Sequence, residues 1–209
     1  NSHMLGLAEI IHSGMADEAL LVPCGPRPDK PKLKSPLVRY CMCQLACTTT
    51  FSHAMPVRAS PIEVFEQEAL ATYDSLCALR AEDPNANFMF VIGSDWLQPG
   101  TDLRSWTSKD PNTGEDIVTG DKLVEEFDFI VIKRPGYEVE DVKAFGPRMR
   151  WMETRHGMKT IDSNLSSTEV RKRADMSYRE RNGQLQLIDG LVPHGVFNFI
   201  KREKVYCPS

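Results

Sequence analysis

Three short apolar runs, each closed by a turn signal, constrain this chain more than anything else in it: residues 17–25 (DEALLVPCG), 87–93 (NFMFVIG) and 127–137 (FDFIVIKRPGY). Runs of this length bounded by Gly and Pro read as buried strands. Between them lie stretches with helical spacing of apolar residues. Leu5, Leu7, Ala8, Ile10 and Ile11 form a stripe that Gly14 stops, which predicts a helix beginning near residue 4. Further helices are predicted over 36–47, over 63–82 (EVFEQEALATYDSLCALRAE) and from Pro193, where proline suits a first turn. The pieces MPVRAS (55–60) and RMRWMET (148–154) are extended candidates, GPRPDKPKLKSP (25–36) is an exposed loop, and 98–120 reads mostly as loop. Strands alternating with amphipathic helices specify an α/β protein with a parallel, doubly wound sheet.

The 209 residues are enough for one well-buried core. The expectation is therefore a single domain over 1–209, with 165–209 as its helical C-terminal part. A net charge of −4 gives no general affinity for nucleic acid or an anionic membrane, so neither is expected as a partner, and the basic run 148–159 reads as solvated surface. No apolar run is long enough to cross a bilayer. Six cysteines occur without a CxxC pair or a zinc spacing, and Cys43 and Cys47 stand one turn apart on a predicted helix. Buried reduced thiols, and with them a cytoplasmic or nuclear home, are the expectation. The sequence leaves the oligomeric state open, a homo-oligomer included.

In parallel sheets ligands collect beyond the carboxyl ends of the strands, and the chemically interesting groups here fall there. The Pro- and Lys-rich loop comes after the first run, Gly93-Ser94-Asp95-Trp96 closes the second, and Arg134 ends the third. The segment DSNLSSTEVRKR (162–173) then offers Ser166, Ser167 and Thr168 as helix caps, Glu169 in a first turn and Arg171 one turn in. A helix that starts so directs backbone N–H groups, hydroxyls and a guanidinium at one point, which suits a phosphate. An ordinary capped surface helix has the same local sequence.

GSDW after one strand, KRPGY after the next, SNLSSTEVR and the closing LVPHGVFNFIKREKVY together resemble the nicotinate and nicotinamide mononucleotide adenylyltransferases. The family's ISSTxxR element is present as LSSTEVR, its G-x-D as Gly93-Ser94-Asp95, and its VPxxVxxYI with Phe199 at the tyrosine position. The ALATYDSL segment resembles SYTxDTL, keeping Thr72, Asp74 and Leu76, with Ser75 in place of a threonine. The likeness covers nearly the whole chain and departs at its front. There the family has a strand and a loop of the form GxFxPxHxxH or GxFxPxTxxH, of which only His3 could be the last histidine. Either Asn1-Ser2-His3 is native and the strand and loop precede residue 1, or Ser2-His3-Met4 is an expression scar; the retained spacing from His3 through Pro23 to Lys30 favours the first.

The resemblance implies a Rossmann-like nucleotidyltransferase fold. It also implies transfer of AMP from ATP to a pyridine mononucleotide, with pyrophosphate released and Mg²⁺ carried in with ATP rather than held by protein ligands. It gives Arg171, Lys30 and His3 the phosphate work, with Lys32 close enough to exchange with Lys30. Gly93, Asp95, Arg134, Ser166, Ser167 and Thr168 would bind ATP, and Thr72, Trp96 and Trp106 the mononucleotide, Trp106 by stacking on the pyridine. Simpler readings stand beside these: a structural turn for Asp95, core filling for Trp96, packing for Thr72, a strand end for Arg134. Two rival functions remain: another nucleotidyltransferase of this fold, acting on phosphopantetheine or using a cytidylyl donor, and a nucleotide-binding protein without catalysis. Acceptor choice between nicotinate and nicotinamide is not legible.

Overall fold

The computed structural model describes residues 2–110, 112–155, 161, 165–180 and 184–208. In chain order the elements are α1 (Ser2–Ser13), β1 (Ala19–Leu21), α2 (Pro36–Thr50), β2 (Val57–Ala59), α3 (Thr72–Glu82), β3 (Met89–Gly93), β4 (Thr107–Lys109), β5 (Asp116–Val118), α4 (Gly120–Glu126), β6 (Asp128–Ile132), β7 (Met149–Trp151), α5 (Ser167–Glu180) and α6 (His194–Arg202). The chain divides into two compact units, Asn1–Phe65 with Thr154–Ser209, and Glu66–Glu153.

The first unit is built around a parallel pair, β1 with β2, in the register Ala19↔Val57 to Leu21↔Ala59. The crossover between them is α2. Its start is fixed by Ser35, whose hydroxyl accepts from the Val38 N–H, and by Pro36 in the first turn. Of the stripe predicted for α1, Leu7 and Ile10 are buried and Leu5, Ala8 and Ile11 half-buried, with Met4 buried beside them, and Gly14 ends the helix in the left-handed region at φ +70°. Met4, Leu7, Ala46, Ala174, Ile188 and Ile200 belong to one core cluster, so α1, α2, α5 and α6 all contribute to it. The Tyr178 hydroxyl of α5 donates to the Ile200 carbonyl of α6 at 3.2 Å.

The second unit carries a three-stranded parallel sheet in the order β3-β6-β7. Its central strand β6 buries Phe129, Ile130 and Val131, as the uninterrupted apolar run predicts for a strand covered on both faces. Phe90 and Phe129 face each other across β3 and β6, ring centroids 5.8 Å apart and nearly perpendicular. Because β3 and β6 run parallel with Gly93 opposite Ile132, the loops that leave the two strands emerge at the same edge.

The structure departs from three expectations. The helix predicted over 63–82 covers only Thr72–Glu82. Val64 closes a turn onto Pro61, and Glu63 is buried with its carboxylate accepting from the Gly25 N–H at 2.9 Å, a tertiary contact that overrides helical propensity. The stretch 98–120 contains an antiparallel hairpin, β4 with β5. Its two strands hold few apolar residues, and its order comes from polar contacts: Asp110 accepts from the Asn112 and Thr113 N–H groups, and the buried Ser108 and Thr119 hydroxyls meet at 2.8 Å. Finally Pro193 is the cap before α6 rather than its first residue, its ψ of 146° being extended.

Candidate functional site

In the first unit, the loop after β1 and the start of α5 meet around one cavity of about 360 Å³, lined by Lys30, Pro31, Lys32, Leu33 and Arg171. The loop is folded by its own turns, Lys30 N–H to the Arg27 carbonyl at 2.9 Å and Leu33 N–H to the Lys30 carbonyl at 2.8 Å. Arg27 grips Asp29 through two bonds of 2.7 and 2.6 Å and holds that carboxyl below the ordinary carboxylate range. Lys30 and Lys32 make no ion pair among the described residues, and the nearby Asp29 carboxylate, which feels the charge of Lys30, is bonded to Arg27 instead.

The anticipated cap is present at α5. Ser166 Oγ accepts from the Glu169 N–H at 3.2 Å, and the Ser166 carbonyl receives the Val170 N–H. Arg171, half-buried, turns its guanidinium back to the helix start and donates to Thr168 Oγ1 at 3.1 Å. Ser167 and Thr168 are exposed in the first turn. Glu169 does not close a capping box; it pairs with Arg173 at 2.7 Å. Residues 162–164 of the same motif lie outside the described residues. The Ser2 hydroxyl donates to the Leu165 carbonyl at 2.9 Å, so the beginnings of α1 and α5 are tied side by side. His3, exposed in the first turn of α1, is the residue next to this tie. Tyr206 lies against the same region: burial pushes its hydroxyl up, while Arg171 and Arg39 pull the other way.

In the second unit the edge shared by β3 and β6 carries Gly93, Ser94, Asp95, Trp96 and Arg134. The Ser94 hydroxyl, fully buried, accepts from the Arg134 N–H at 2.9 Å, and Arg134 Nη1 meets Asp95 Oδ2 at 2.7 Å. The other oxygen, Asp95 Oδ1, is buried without a hydrogen-bond partner among the described residues. A buried carboxylate oxygen left so is costly and calls for a donor. A Cβ at Gly93 would run into Asp95 Oδ1 and come within 2.9 Å of Arg134 Cδ, so any larger residue there would displace this ion pair.

A second cavity, of about 380 Å³, is lined by Leu70, Ala71, Thr72, Tyr73, Ser105, Trp106, Thr107, Thr119 and Leu123. Among the described residues no carboxylate, lysine, arginine or histidine lines it. Trp106 meets Trp96 edge to face, centroids 5.3 Å apart at 82°. Its carbonyl accepts from both Thr119 and Gly120 N–H groups at 2.9 Å. Thr72 opens α3, whose cap residue Ala71 supplies no side-chain hydrogen bond. The structure therefore gathers Thr72, Trp96 and Trp106 in one unit and Lys30, Arg171 and the Ser166–Thr168 turn in the other. Ser105, Thr107 and Thr119 escaped the sequence reading because β4 and its hairpin were not legible, and Tyr73, inside the quoted ALATYDSL segment, was not singled out there. Among the described residues no group of three His, Cys, Asp or Glu side chains could hold a metal. All six cysteines are free.

Parallel β–α–β units with polar loops at the carboxyl edge define an α/β fold of the Rossmann type. Solved structures share it: the Plasmodium falciparum nicotinic acid mononucleotide adenylyltransferase, complexed with NaAD, superposes with a TM-score of 0.64 at 22% identity over 96% of this chain and 90% of that one. The same enzyme complexed with APC gives 0.61 at 21%. No protein-family model matches the chain. Probable nicotinate-nucleotide adenylyltransferases from Tropheryma whipplei and Corynebacterium jeikeium are each 26% identical, over 206 residues (99% of this chain, 92% of the relative) and 215 residues (100% and 95%). One from Mycolicibacterium vanbaalenii is 25% identical over 211 residues, 99% of this chain and 86% of its own. Over its whole length the chain is thus similar to proteins named as probable nicotinate-nucleotide adenylyltransferases.

Proposed function

We propose that this protein transfers the adenylyl group of ATP to nicotinate mononucleotide, forming the dinucleotide precursor of NAD and releasing pyrophosphate. What supports the reading most is the cavity of the first unit, where Lys30, Lys32 and Arg171 from two separate segments face one space. Attack of a 5′-phosphate on the α-phosphorus of ATP asks little covalent help of a protein. It asks that two anions be held in line and that charge on the departing pyrophosphate be met. In this reading Arg171 and the first-turn N–H groups of α5 bind the outer phosphates, Lys30 neutralises the developing charge, Lys32 stands close enough to share that work, and His3 donates to phosphate oxygen. Mg²⁺ would arrive on the triphosphate and offset its charge.

The second unit takes the nucleoside parts. Asp95 Oδ1 is the acceptor for a ribose hydroxyl, with Gly93 leaving room and Arg134 fixing the carboxylate. Trp106 offers a face to the pyridine, Trp96 braces it, and Thr72 hydrogen-bonds the mononucleotide. Backbone N–H groups at the start of α3, which its cap residue leaves without a side-chain acceptor, suit a carboxylate, hence nicotinate over nicotinamide. The ligands are then ATP and the mononucleotide, with neither nucleic acid nor membrane as partner. Among the described residues no helix is long and apolar enough to cross a membrane. Six free thiols fit a cytoplasmic or nuclear setting.

The test is purified protein with ATP, Mg²⁺ and each mononucleotide in turn, with pyrophosphate release as the readout. Product with nicotinate mononucleotide is expected; nucleotide binding with no product from either acceptor would favour the non-catalytic reading instead.

A further inference from the structure

The geometry points to Arg39 as a positioning residue that clamps the lysine loop, an inference that rests on the reading of Lys30 as a phosphate ligand. Arg39 stands one turn into α2 and is half-buried. Each of its three nitrogens is used on a different acceptor: Nε donates to the Lys34 carbonyl at 2.8 Å, Nη2 to the Gly25 carbonyl at 2.6 Å and Nη1 to Cys24 Sγ at 2.7 Å. Cys24 and Gly25 open the loop and Lys34 closes it, so one planar guanidinium pins both ends. Gly25 is held from its other side as well, its N–H donating to the buried Glu63 carboxylate at 2.9 Å.

Between the pinned ends lie residues 26–33, Lys30 and Lys32 among them. Closing a loop of this length costs conformational entropy each time its ends must meet. A fork that fixes those ends beforehand removes that cost from ligand binding, which is how pre-organisation raises affinity. Arg39 itself does not line the cavity. Its contact with a bound phosphate is therefore indirect, and Arg39→Lys, which keeps the charge, isolates the part of its effect that passes through the loop. A lysine could replace its charge and most of its length, but a single ammonium cannot span three acceptors in one plane.

Two variants, Arg39→Lys and Arg39→Gln, test this with two readouts on the full chain. The first is cleavage of the Lys32–Leu33 bond by a lysine-specific protease under native conditions, which needs no assumption about function. We expect cleavage at least tenfold faster than in the wild type in both variants. The second is the Kd for ATP against that for nicotinate mononucleotide. ATP binding should weaken roughly tenfold or more while mononucleotide binding stays within twofold, a split that general loss of folding would not give. Cleavage and ATP affinity within twofold of wild type in both variants would overturn the clamp. Equal losses for both ligands without faster cleavage would overturn it too. If the wild type binds neither nucleotide, the functional reading fails, and faster cleavage in the variants still sustains the clamp.

Discussion

The two cavities differ in how they are made. The one in the first unit is lined by long cationic side chains on a loop and one helix turn, Lys30, Lys32 and Arg171. The one in the second unit has no charged lining and is framed by backbone: the Trp106 carbonyl takes two N–H groups, and a buried hydroxyl pair underlies the hairpin. The contrast fits the ligands each would recognise. A polyphosphate is a diffuse anion that flexible cations can reach from several directions, whereas a flat ring must be met by a surface already in place. On the proposed function, damage to one cavity should leave the other's ligand bound.

The largest effect is expected from Arg171→Ala. Losing a charge-assisted clamp on the leaving phosphates should lower kcat/KM for ATP by about 2–4 kcal/mol, on the order of 30- to 10³-fold, with the mononucleotide KM changed no more than a few-fold in steady-state assays. An equal rise in both KM values would break the comparison. Gly120→Ala comes next and acts on the frame. A Cβ at 120 would strike the Leu103 carbonyl and reach Arg104 C and O at 2.5 Å, all of them backbone atoms that cannot swing away. About 2–3 kcal/mol of stability should be lost in denaturant titration, and mononucleotide affinity should fall before ATP affinity does.

Trp106→Ala should weaken the mononucleotide by about 1–3 kcal/mol, the usual loss when an aromatic platform is removed, and leave ATP binding nearly untouched by calorimetry. The smallest effect is one of pH. Burial pushes the Cys43 thiol from 9.0 up to about 11, with Cys47 adding to the rise. The folded chain keeps this proton where the unfolded chain releases it. Stability from this group is therefore intact below pH 9 and is lost as pH rises towards 11. Cys43→Ala should flatten that decline in unfolding curves taken between pH 8 and about 10. Both cavities should respond alike, since Cys43 lines neither.

Legibility in the sequence tracked the physics of each part. Strand β6 announced itself because both faces are covered, the half-buried β3 because its apolar run stops at Gly93, and α1 and α5 because periodicity and caps are local signals. The pairing of Lys30 with Arg171 rested on the family resemblance, for nothing in spacing tells a loop at 30 to meet a helix at 171. The hairpin was hidden because Thr107–Lys109 and Asp116–Val118 carry little apolar pattern, and the short α3 because Glu63 is claimed by a backbone N–H 38 residues away. Arg39 left one trace, a lone arginine on a largely apolar and thiol-bearing helix directly after a proline-rich loop. An arginine so placed tends to serve its neighbours rather than solvent.

The doubly engaged carbonyl of residue 106 has a practical corollary. Since the main chain there is secured by its own amide partners and by the missing side chain at 120, the indole is a replaceable fitting on a fixed mount. Exchanging it for phenylalanine, tyrosine or histidine would vary the ring alone, which makes this position the natural starting place for reprogramming the protein towards altered heterocycles.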